Sequence, residues 1–150
     1  MYDQLKLDNQ VCFRLYTASR LVTQAYRPLL EPLGLIYPQY IVMLVLWEQD
    51  NLLVSDIAHR LVLDTNTVTP LLQRMERDGL LIRTRGIADG RQTLVSLTSK
   101  GKHLEEKAKN IPACLAKAWQ NPDAGTTRPE AFVEALDAMI KHLKNSDSKQ

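Results

Sequence analysis

Two cysteines are the residues of this 150-residue chain whose chemistry could respond to an oxidant. A cysteine thiolate that is populated and reachable attacks the distal oxygen of a hydroperoxide and becomes a sulfenic acid. Cys12, on the first predicted helix, is our candidate for such a redox-sensing thiol. The alternative is that Cys12 is a small buried hydrophobe on the packed face of that helix, which is the commonest fate of a free cysteine.

The spacing of the cysteines and histidines argues against other chemistry. Cys12 and Cys114 lie 102 positions apart, so they lack the paired spacing of a zinc site and make a poor structural disulfide in a reducing compartment. The three histidines, His59, His103 and His142, are scattered, and the sequence has neither a His-Glu-x-x-His motif nor a phosphate-cradling glycine loop. We therefore expect free thiols and no enzyme activity, cofactor or metal.

The stretch from Leu53 to Leu97 has the pattern of a helix-turn-helix followed by a β-hairpin. Gly79 is placed to end the second helix in the left-handed conformation, and residues 80–85 and 91–97 alternate like two strands around 86–90. The apolar stripes of the two helices are Val54, Ile57, Ala58 and Leu61, then Val68, Leu71, Leu72 and Met75. This order predicts a winged helix-turn-helix in which the hairpin is the wing.

Small polar residues open the second helix of this motif, where they suit phosphates and base edges in the major groove. The wing-tip Arg91 is predicted to reach the minor groove with Asp89 orienting it, and Arg83 and Arg85 are predicted to contact the DNA backbone. The predicted DNA-binding residues are Thr65, Asn66, Thr67, Thr69 and Arg74 of the helix, and Arg83, Arg85, Asp89 and Arg91 of the hairpin.

Pro70 complicates the second helix of the motif because it has no amide hydrogen. The helix must therefore start late, around Asn66 or Thr67, or bend at Pro70. The sequence does not decide between these two geometries.

The formal charge of +2 is too small to indicate nucleic-acid binding, but its distribution is informative. From Arg83 to Lys102 there are five cations and one anion, so positive charge is concentrated on the wing. Threonine-rich helix starts are common caps and basic hairpins are commonly just solvated, so neither feature is specific alone. Together, in this order and spacing, they predict DNA binding.

Further helices are predicted on both sides of the winged helix-turn-helix. Upstream, one long amphipathic helix is predicted to break near Pro28 and Pro32, and an apolar core helix to run from about Pro38 to Glu48. Downstream, a helix starting near Thr98 should bend at Pro112. After a linker at 120–127, a last helix should begin near Pro129. The stripes of the outer helices are Val11, Leu15, Ala18, Val22, Ala25 and Leu29, then Phe132, Leu136, Met139, Ile140 and Leu143.

The predicted fold class is mostly α with a small β-hairpin. Residues 1–150 are expected to form a single domain, with the winged helix-turn-helix at about 51–97 and a helical core and dimerisation part at about 1–50 and 98–150. A composition of 45% hydrophobic and 24% charged residues is ordinary for a soluble globular protein. No apolar run approaches the ~20 residues of a membrane span, so the expected location is the cytoplasm.

The outer helices have more apolar surface than a winged helix-turn-helix of about 45 residues can cover. A two-fold dimer would bury the remaining apolar surface. A symmetric pair of reading helices about one helical turn (~34 Å) apart would match an inverted-repeat operator. We therefore expect a homodimer that binds double-stranded DNA.

The order of elements, residues 63–72 and the wing residues 89–91 resemble the MarR family of bacterial regulators. Within that family, residues 7–13 and 37–40 are similar to the organic hydroperoxide sensors of the OhrR type. The resemblance covers nearly the whole chain. It implies a repressor that leaves its operator when an organic hydroperoxide oxidises Cys12.

The resemblance also implies a thiol pocket in which the Tyr26 and Tyr37 hydroxyls donate hydrogen bonds to the thiolate, with Tyr16 and Phe13 lining it. Tyr26 lies 14 residues beyond Cys12, roughly 21 Å away on one helix at ~1.5 Å per residue. If Tyr26 bonds a thiolate, that thiolate must therefore belong to the other subunit. The alternative is that both tyrosines are ordinary core residues with satisfied hydroxyls.

Cys114 has more than one interpretation. Some OhrR-type sensors use a second cysteine of the partner subunit to resolve the sulfenic acid as a disulfide, which makes Cys114 a possible resolving residue. Otherwise Cys114 is a bystander, and oxidised Cys12 is capped by a small cellular thiol or overoxidised.

Two other functions remain open. The stronger is a MarR-type repressor relieved by a noncovalent aromatic or apolar ligand bound between the dimer helices and the reading head, with idle cysteines. The weaker is a pure interaction module, which the basic wing disfavours.

Overall fold

The computed structural model describes residues 1–119 and 129–148. The helices of this part are α1 (Val11–Leu30), α2 (Tyr37–Glu48), α3 (Val54–Leu61), α4 (Thr65–Arg77), α5 (Ser99–Ala108), α6 (Ile111–Trp119) and α7 (Pro129–Asp147). The strands are β1 (Leu52–Leu53), β2 (Leu81–Arg85) and β3 (Thr93–Leu97). The mostly helical prediction is confirmed.

Helix α1 keeps Pro28 inside it and ends at Leu30, between the two prolines where a break was predicted. A proline this close to the helix end removes only the hydrogen bond to the Gln24 carbonyl, which the last turn can lose. A short 3-10 helix at Glu31–Leu33 follows, and Gly34 turns the chain with a φ of 70°.

The apolar stripe of α1 is left largely uncovered within the chain. Leu30 is the one buried residue of this helix, and Val11 is 64% exposed. The other five members of the stripe are half-buried or exposed. An uncovered stripe of this length is what a helix that packs against another chain would present.

Helix α2 is the centre of the core, as its apolar composition predicts. Its start is fixed by the Gln39 side chain, whose Oε1 accepts a hydrogen bond from the Ile36 amide at 3.0 Å. The buried apolar residues of α2 are Tyr40, Val42, Met43, Val45 and Leu46. They join one hydrophobic cluster with buried residues of the helix-turn-helix, the sheet and α5.

The helix-turn-helix consists of α3 and α4, as predicted, but its joint differs from the expectation. The turn passes through Val62 in the left-handed region, with a φ of 56°, which is a strained conformation for a β-branched residue. Helix α4 begins at Thr65, after the cap residue Asp64, and Pro70 lies inside it. Of the two geometries that the sequence left open, the late start at Asn66 or Thr67 is therefore wrong by one or two residues.

The sheet is antiparallel with strand order β1-β3-β2. The wing pairs Leu81 with Leu97 and Arg85 with Thr93, so both strands are shorter than predicted. Strand β1 pairs Leu52 with Val95, an interaction that the sequence did not predict because a two-residue strand has no detectable alternation.

A junction formed by residues 79–80 and 97–101 connects the end of α4 to the end of the wing and the start of α5. Gly79, with a φ of 75°, closes α4, and the Leu80 amide reaches back to the Met75 carbonyl. The Thr98 hydroxyl donates to the Gly79 carbonyl at 2.6 Å and accepts from the Gly101 amide at 3.1 Å. One threonine therefore caps α5 and holds the end of α4, confirming the predicted helix start.

The chain divides into two compact units, residues 1–115 and 116–150. Helix α5 ends at Ala108 and α6 starts at Ile111, so the helix is interrupted just before Pro112. The linker predicted at 120–127 lies outside the described residues. In the second unit α7 starts at Pro129, as expected, and its apolar side chains Phe132, Met139, Ile140 and Leu143 are exposed. The single-domain prediction stays a prediction.

Among the described residues, no single helix has the length and apolar character of a membrane span. The bent pair Val11–Leu33 and Tyr37–Glu48 meets the length and composition requirement only when the two are taken together, with a 69° bend between them.

The substitution Gly101→Ala tests how tightly α5 seats on the junction. A Cβ at this position would lie 2.2 Å from the Leu80 carbonyl oxygen, which belongs to the backbone and cannot rotate away. Alanine normally gains about 1 kcal/mol over glycine inside a helix. We expect instead a loss of about 2 kcal/mol in the free energy of unfolding, measured by urea denaturation.

Gly90→Ala is the matched control, because a Cβ on Gly90 has nothing within 4 Å. Its free energy of unfolding should stay within about 0.5 kcal/mol of the wild-type value. Equal stability of the two variants would show that α5 is not seated tightly on Leu80.

Candidate functional site

Cys12 lies in the first turn of α1 and is exposed. The interpretation of Cys12 as a buried hydrophobe is therefore wrong for the single chain. Just before it, the Gln10 side chain donates to the Gln4 carbonyl at 2.6 Å and to the Lys6 carbonyl at 3.2 Å, which folds the N-terminal segment against the helix start. The thiol is open to a small oxidant or to another chain.

The other end of α1 meets α2 in a tyrosine cluster formed by Tyr26, Tyr37 and Tyr40. The ring centroids of Tyr26 and Tyr37 are 4.9 Å apart, and that of Tyr40 is 5.5 Å from Tyr26 and 6.3 Å from Tyr37. Tyr40, which is 2% exposed, was not among the predicted site residues. Its signal in the sequence is its position three residues after Tyr37, on the same face of α2.

Two tyrosines of the cluster, Tyr26 and Tyr40, have a raised pKa. Burial raises the pKa of Tyr26, and the neighbouring Tyr37 raises it further. Burial also raises the pKa of Tyr40, with smaller contributions from Tyr26 and Tyr37. Neutral phenols are hydrogen-bond donors, so Tyr26 keeps the proton that a thiolate acceptor needs.

The structure brings together only part of the predicted thiol pocket. Tyr26 and Tyr37 are adjacent, whereas Cys12, Phe13 and Tyr16 lie at the opposite end of the uninterrupted α1. Phe13 and Tyr16 are 40% and 68% exposed, so the described part of the chain does not bury them. On one straight helix, Tyr26 is roughly 21 Å from its own Cys12, well beyond hydrogen-bond distance.

A cavity of about 470 Å³ opens beside Tyr37, at the turn between α1 and α2. Its walls combine apolar side chains with the polar groups of α1. The lining residues are Thr23, Gln24, Arg27, Leu30, Glu31, Gly34, Leu35, Ile36, Tyr37 and Pro38.

Cys114 lies on α6 and is also exposed. Neither cysteine belongs to a disulfide, and the residues described contain no cluster of histidine, cysteine or acidic side chains that could hold a metal ion. Both thiols are free and reachable.

The second candidate region is a cleft of about 310 Å³ between α3, α4 and the wing. It unites predicted residues from both elements: Thr65 and Thr69 of α4 with Arg83 and Arg91 of the hairpin. Other predicted residues are exposed, namely Asn66, Thr67, Arg74, Arg85 and Asp89. Ser55, Gln92 and Thr93 also line the cleft and were not predicted, because isolated polar residues carry no sequence signal.

Arg83, which was predicted to contact the DNA backbone, binds Glu76 of α4. Its Nε and Nη2 atoms donate to Glu76 Oε2 at 3.1 and 3.0 Å, and its amide donates to Glu76 Oε1 at 2.9 Å. These bonds, with the backbone amide contributing most and the guanidinium next, lower the pKa of the Glu76 carboxyl. The pair fixes the first wing strand to α4, so it positions the two surfaces of the cleft.

At the wing tip, the Asp89 carboxylate accepts a hydrogen bond from the backbone amide of Arg91 at 3.0 Å. Asp89 was expected to orient the arginine, and this contact acts on the backbone of Arg91 rather than on its guanidinium. The tip is closed by the Gln92 amide, which donates to the Asp89 carbonyl at 3.1 Å.

Residues 24–108 of the chain match the family model described as transcriptional regulator SarA/Rot. The organic hydroperoxide resistance transcriptional regulator of Bacillus subtilis (strain 168) is 47% identical over 114 residues, which cover 76% of this chain and 78% of that protein. The similarity therefore extends well beyond the helix-turn-helix.

Solved structures of AbfR, a protein of Staphylococcus epidermidis, have the same fold. Reduced AbfR bound to DNA superposes with a TM-score of 0.77 at 33% identity, covering 94% of this chain and 96% of that one. The disulfide form of AbfR gives a TM-score of 0.66 at 36% identity, covering 94% of both chains.

The substitution Glu76→Gln tests the contact between α4 and the wing. We expect a loss of about 1 kcal/mol in the free energy of unfolding at pH 7, since the side chain is 34% exposed and solvent weakens the ion pair. A lowered carboxyl pKa stabilises the fold above the usual value of 4.5, and this stabilisation disappears as the pH falls through the pKa of the folded state.

The stability difference between wild type and Glu76→Gln should therefore shrink on acidification, in urea denaturation at pH 7 and near pH 4. Glu106→Gln, which loses only an exposed contact with Lys109, serves as the control. A difference that stays constant or grows at acidic pH would contradict this role for Glu76.

Proposed function

This chain belongs to the family of MarR-type winged-helix transcriptional regulators, and we propose that it is a dimeric repressor that leaves its operator when an organic hydroperoxide oxidises Cys12. One observation supports this most: α1 carries an exposed Cys12 at one end, and at its other end Tyr26 lies beside Tyr37, the first residue of α2. Each end of the helix thus has half of a thiol site.

DNA binding is supported by the cleft between the recognition helix and the wing. Thr65 and Thr69 face the same space as Arg83 and Arg91, so polar helix residues and wing cations would meet one duplex. A relative, AbfR, has been solved bound to DNA in its reduced form. In a two-fold dimer, two such surfaces would occupy an inverted-repeat operator.

A homodimer is supported by the uncovered apolar surfaces. The stripe of α1 is largely uncovered, and Phe132, Met139, Ile140 and Leu143 of α7 are exposed. Packing two copies so that the start of one α1 lies beside the end of the other would cover the stripe. It would also bring Cys12 of one subunit to Tyr26 and Tyr37 of the other.

In the proposed reaction the Cys12 thiolate attacks the distal oxygen of the hydroperoxide. A sulfur–oxygen bond forms, the peroxide bond breaks, and the alkoxide takes a proton and leaves as the alcohol. The sulfur loses two electrons and becomes a sulfenic acid. The reaction consumes one hydroperoxide per Cys12, so the protein is a sensor and not an enzyme.

Cys114 is proposed as the resolving residue. The thiolate of Cys114 from the partner subunit attacks the Cys12 sulfur, forms a disulfide and displaces hydroxide, which leaves as water. The exposure of both thiols supports this step, and the relative AbfR has been solved in a disulfide form. Capping by a small thiol and overoxidation are the alternative fates of the sulfenic acid.

The cavity beside Tyr37 favours a second candidate function. Its volume of about 470 Å³ and its mixed apolar and polar walls would suit a small aromatic or apolar inducer. In that case the ligand relieves repression without covalent chemistry, and both cysteines are idle.

Cysteine variants test the proposed sensing. An operator selected from random duplexes with the reduced protein is mixed with wild type, Cys12→Ser or Cys114→Ser, and binding is followed by gel shift. Cumene hydroperoxide should release wild type, and a thiol reductant should restore binding. Cys12→Ser should stay bound, and Cys114→Ser should form no intersubunit disulfide on a non-reducing gel.

Release of Cys12→Ser by the hydroperoxide would overturn the thiol mechanism. Release of the same variant by a phenolic compound alone would favour the noncovalent inducer. Disulfide formation in Cys114→Ser would remove Cys114 from the resolving step.

Two single substitutions distinguish the residues that bind the operator from those that promote oxidation of Cys12. Arg91→Ala should weaken operator binding roughly tenfold while leaving the rate of Cys12 oxidation unchanged, because Arg91 lies on the wing. Tyr26→Phe should slow Cys12 oxidation roughly tenfold and leave operator affinity unchanged, because it removes one hydrogen bond to the thiolate. Oxidation is measured by intact mass after timed quenching. A variant that changes both properties equally would contradict this division.

A further inference from the structure

We propose that Trp47 is a positioning residue that transmits a change in the tyrosine cluster to the junction between the recognition helix and the wing. This inference rests on the proposed function, because it assigns the route by which oxidation at the thiol site alters the DNA-binding cleft. It adds a residue to the mechanism that is neither part of the thiol site nor part of the DNA surface.

The first contact of the route lies within α2. Tyr40 and Trp47 are seven residues apart, two helical turns, and so project from the same face. The Tyr40 ring is buried against Tyr26 and Tyr37, and its centroid is 6.4 Å from that of Trp47 in an edge-on arrangement. Because Tyr40 is 2% exposed, a shift of the two outer tyrosines cannot be absorbed by moving its ring into solvent.

The second contact leaves α2. The Trp47 Nε1 donates a hydrogen bond to the Gly101 carbonyl at 2.9 Å, in a partly buried position. This bond joins residues 54 positions apart and links α2 to the first turns of α5. A partly buried hydrogen bond of this kind fixes the relative position of its two elements, because breaking it leaves a carbonyl poorly solvated.

The third contact restricts the movement of Gly101 relative to Leu80. Its Cα packs so closely on the Leu80 backbone that a Cβ would be 2.2 Å from the Leu80 oxygen. Across the same junction the Thr98 amide donates to the Leu80 carbonyl at 3.1 Å and the Thr98 hydroxyl donates to the Gly79 carbonyl at 2.6 Å. Lys100 Nζ also donates to the Asp78 carbonyl at 2.7 Å. Movement of Gly101 must therefore move the end of α4 or the end of the wing.

A second connection between the same elements supplies a matched control. After α2, the Asp50 carboxylate accepts from the Leu97 amide at 2.9 Å and pairs with Lys102 at 3.5 Å. This connection reaches the wing and α5 but has no contact with the tyrosine cluster among the interactions described. Lys102→Gln should weaken the general attachment of α5 without interrupting the route through Trp47.

The experiment compares Trp47→Phe, Lys102→Gln and wild type. Operator affinity is measured for the reduced protein and for protein oxidised by cumene hydroperoxide, with Cys12 oxidation checked by intact mass. We expect all three to be oxidised equally. In Trp47→Phe the ratio of oxidised to reduced Kd should fall at least tenfold below the wild-type ratio, whereas in Lys102→Gln it should stay within about threefold.

A purely structural role would lower affinity in both redox states and leave the ratio unchanged, and that result overturns the proposal. A second variant guards against misfolding of Trp47→Phe. Benzothienylalanine at position 47 keeps the size and shape of the indole and replaces the N–H with sulfur. It should lower the same ratio, and a wild-type ratio in a folded protein would contradict the role of the hydrogen bond.

A further experiment uses no peroxide, so its result does not depend on the proposed sensing of hydroperoxide. Tyr37→Ala creates a cavity in the tyrosine cluster, and amide hydrogen exchange is followed in peptides covering 77–82 and 97–103. Exchange should rise in Tyr37→Ala, and this rise should be absent when Trp47→Phe is added. An equal rise in both backgrounds overturns the route through Trp47. If cumene hydroperoxide leaves wild-type affinity unchanged, the proposed sensing fails, and the exchange result alone decides the inference.

Discussion

The rigid length of helix α1 is the constraint on which the proposed thiol site depends. Twenty residues without a break make a rod of about 30 Å, and the proline near its end does not interrupt it. Cys12 and Tyr26 therefore occupy opposite ends of one element and cannot approach each other by any small rearrangement. In the single chain the apolar stripe of α1 is largely uncovered and its thiol is exposed. A site assembled from two copies would cover the stripe and complete the thiol pocket in one step.

The relative position of α4 and the wing is fixed by polar contacts at the edges of the cleft between them, in addition to the apolar core. Glu76 and Arg83 fasten the first wing strand to the recognition helix, and Thr98 joins the end of that helix to the start of α5. Charge-assisted and capping hydrogen bonds of this kind are directional, so they define an angle between elements that apolar packing would leave loose. The cleft between α4 and the wing keeps its shape for that reason, and a change in those contacts is a direct way to alter it.

The sequence predicted the helices and strands in which apolar residues recur at a regular spacing, but it did not predict the contacts between these elements. The stripes of α3 and α4, the alternation of the hairpin and the caps at Gly79 and Thr98 all lie where local rules put them. Strand β1 was missed because it is formed by pairing with β3 and not by its own two residues. The ion pair of Arg83 and the hydrogen bond of Trp47 join residues distant in sequence, for which no local pattern exists. In the proposed thiol site, Tyr26 lies beside Tyr37, the two residues that the resemblance implied, whereas Tyr40 joins them only through the packing of α1 on α2, which no local pattern shows.

Mixed dimers test most directly whether the proposed thiol site is shared between two subunits. Differently tagged Cys12→Ser and Tyr26→Phe subunits are combined, the mixed dimer is isolated by tandem affinity, and the rate of Cys12 oxidation by cumene hydroperoxide is measured by intact mass. The one remaining Cys12 lies on the subunit that lacks Tyr26, and it faces an intact Tyr26 only if the pocket is built across the interface. A rate equal to that of the wild-type dimer is expected. A rate as slow as that of the Tyr26→Phe homodimer would contradict a thiol site shared between two subunits.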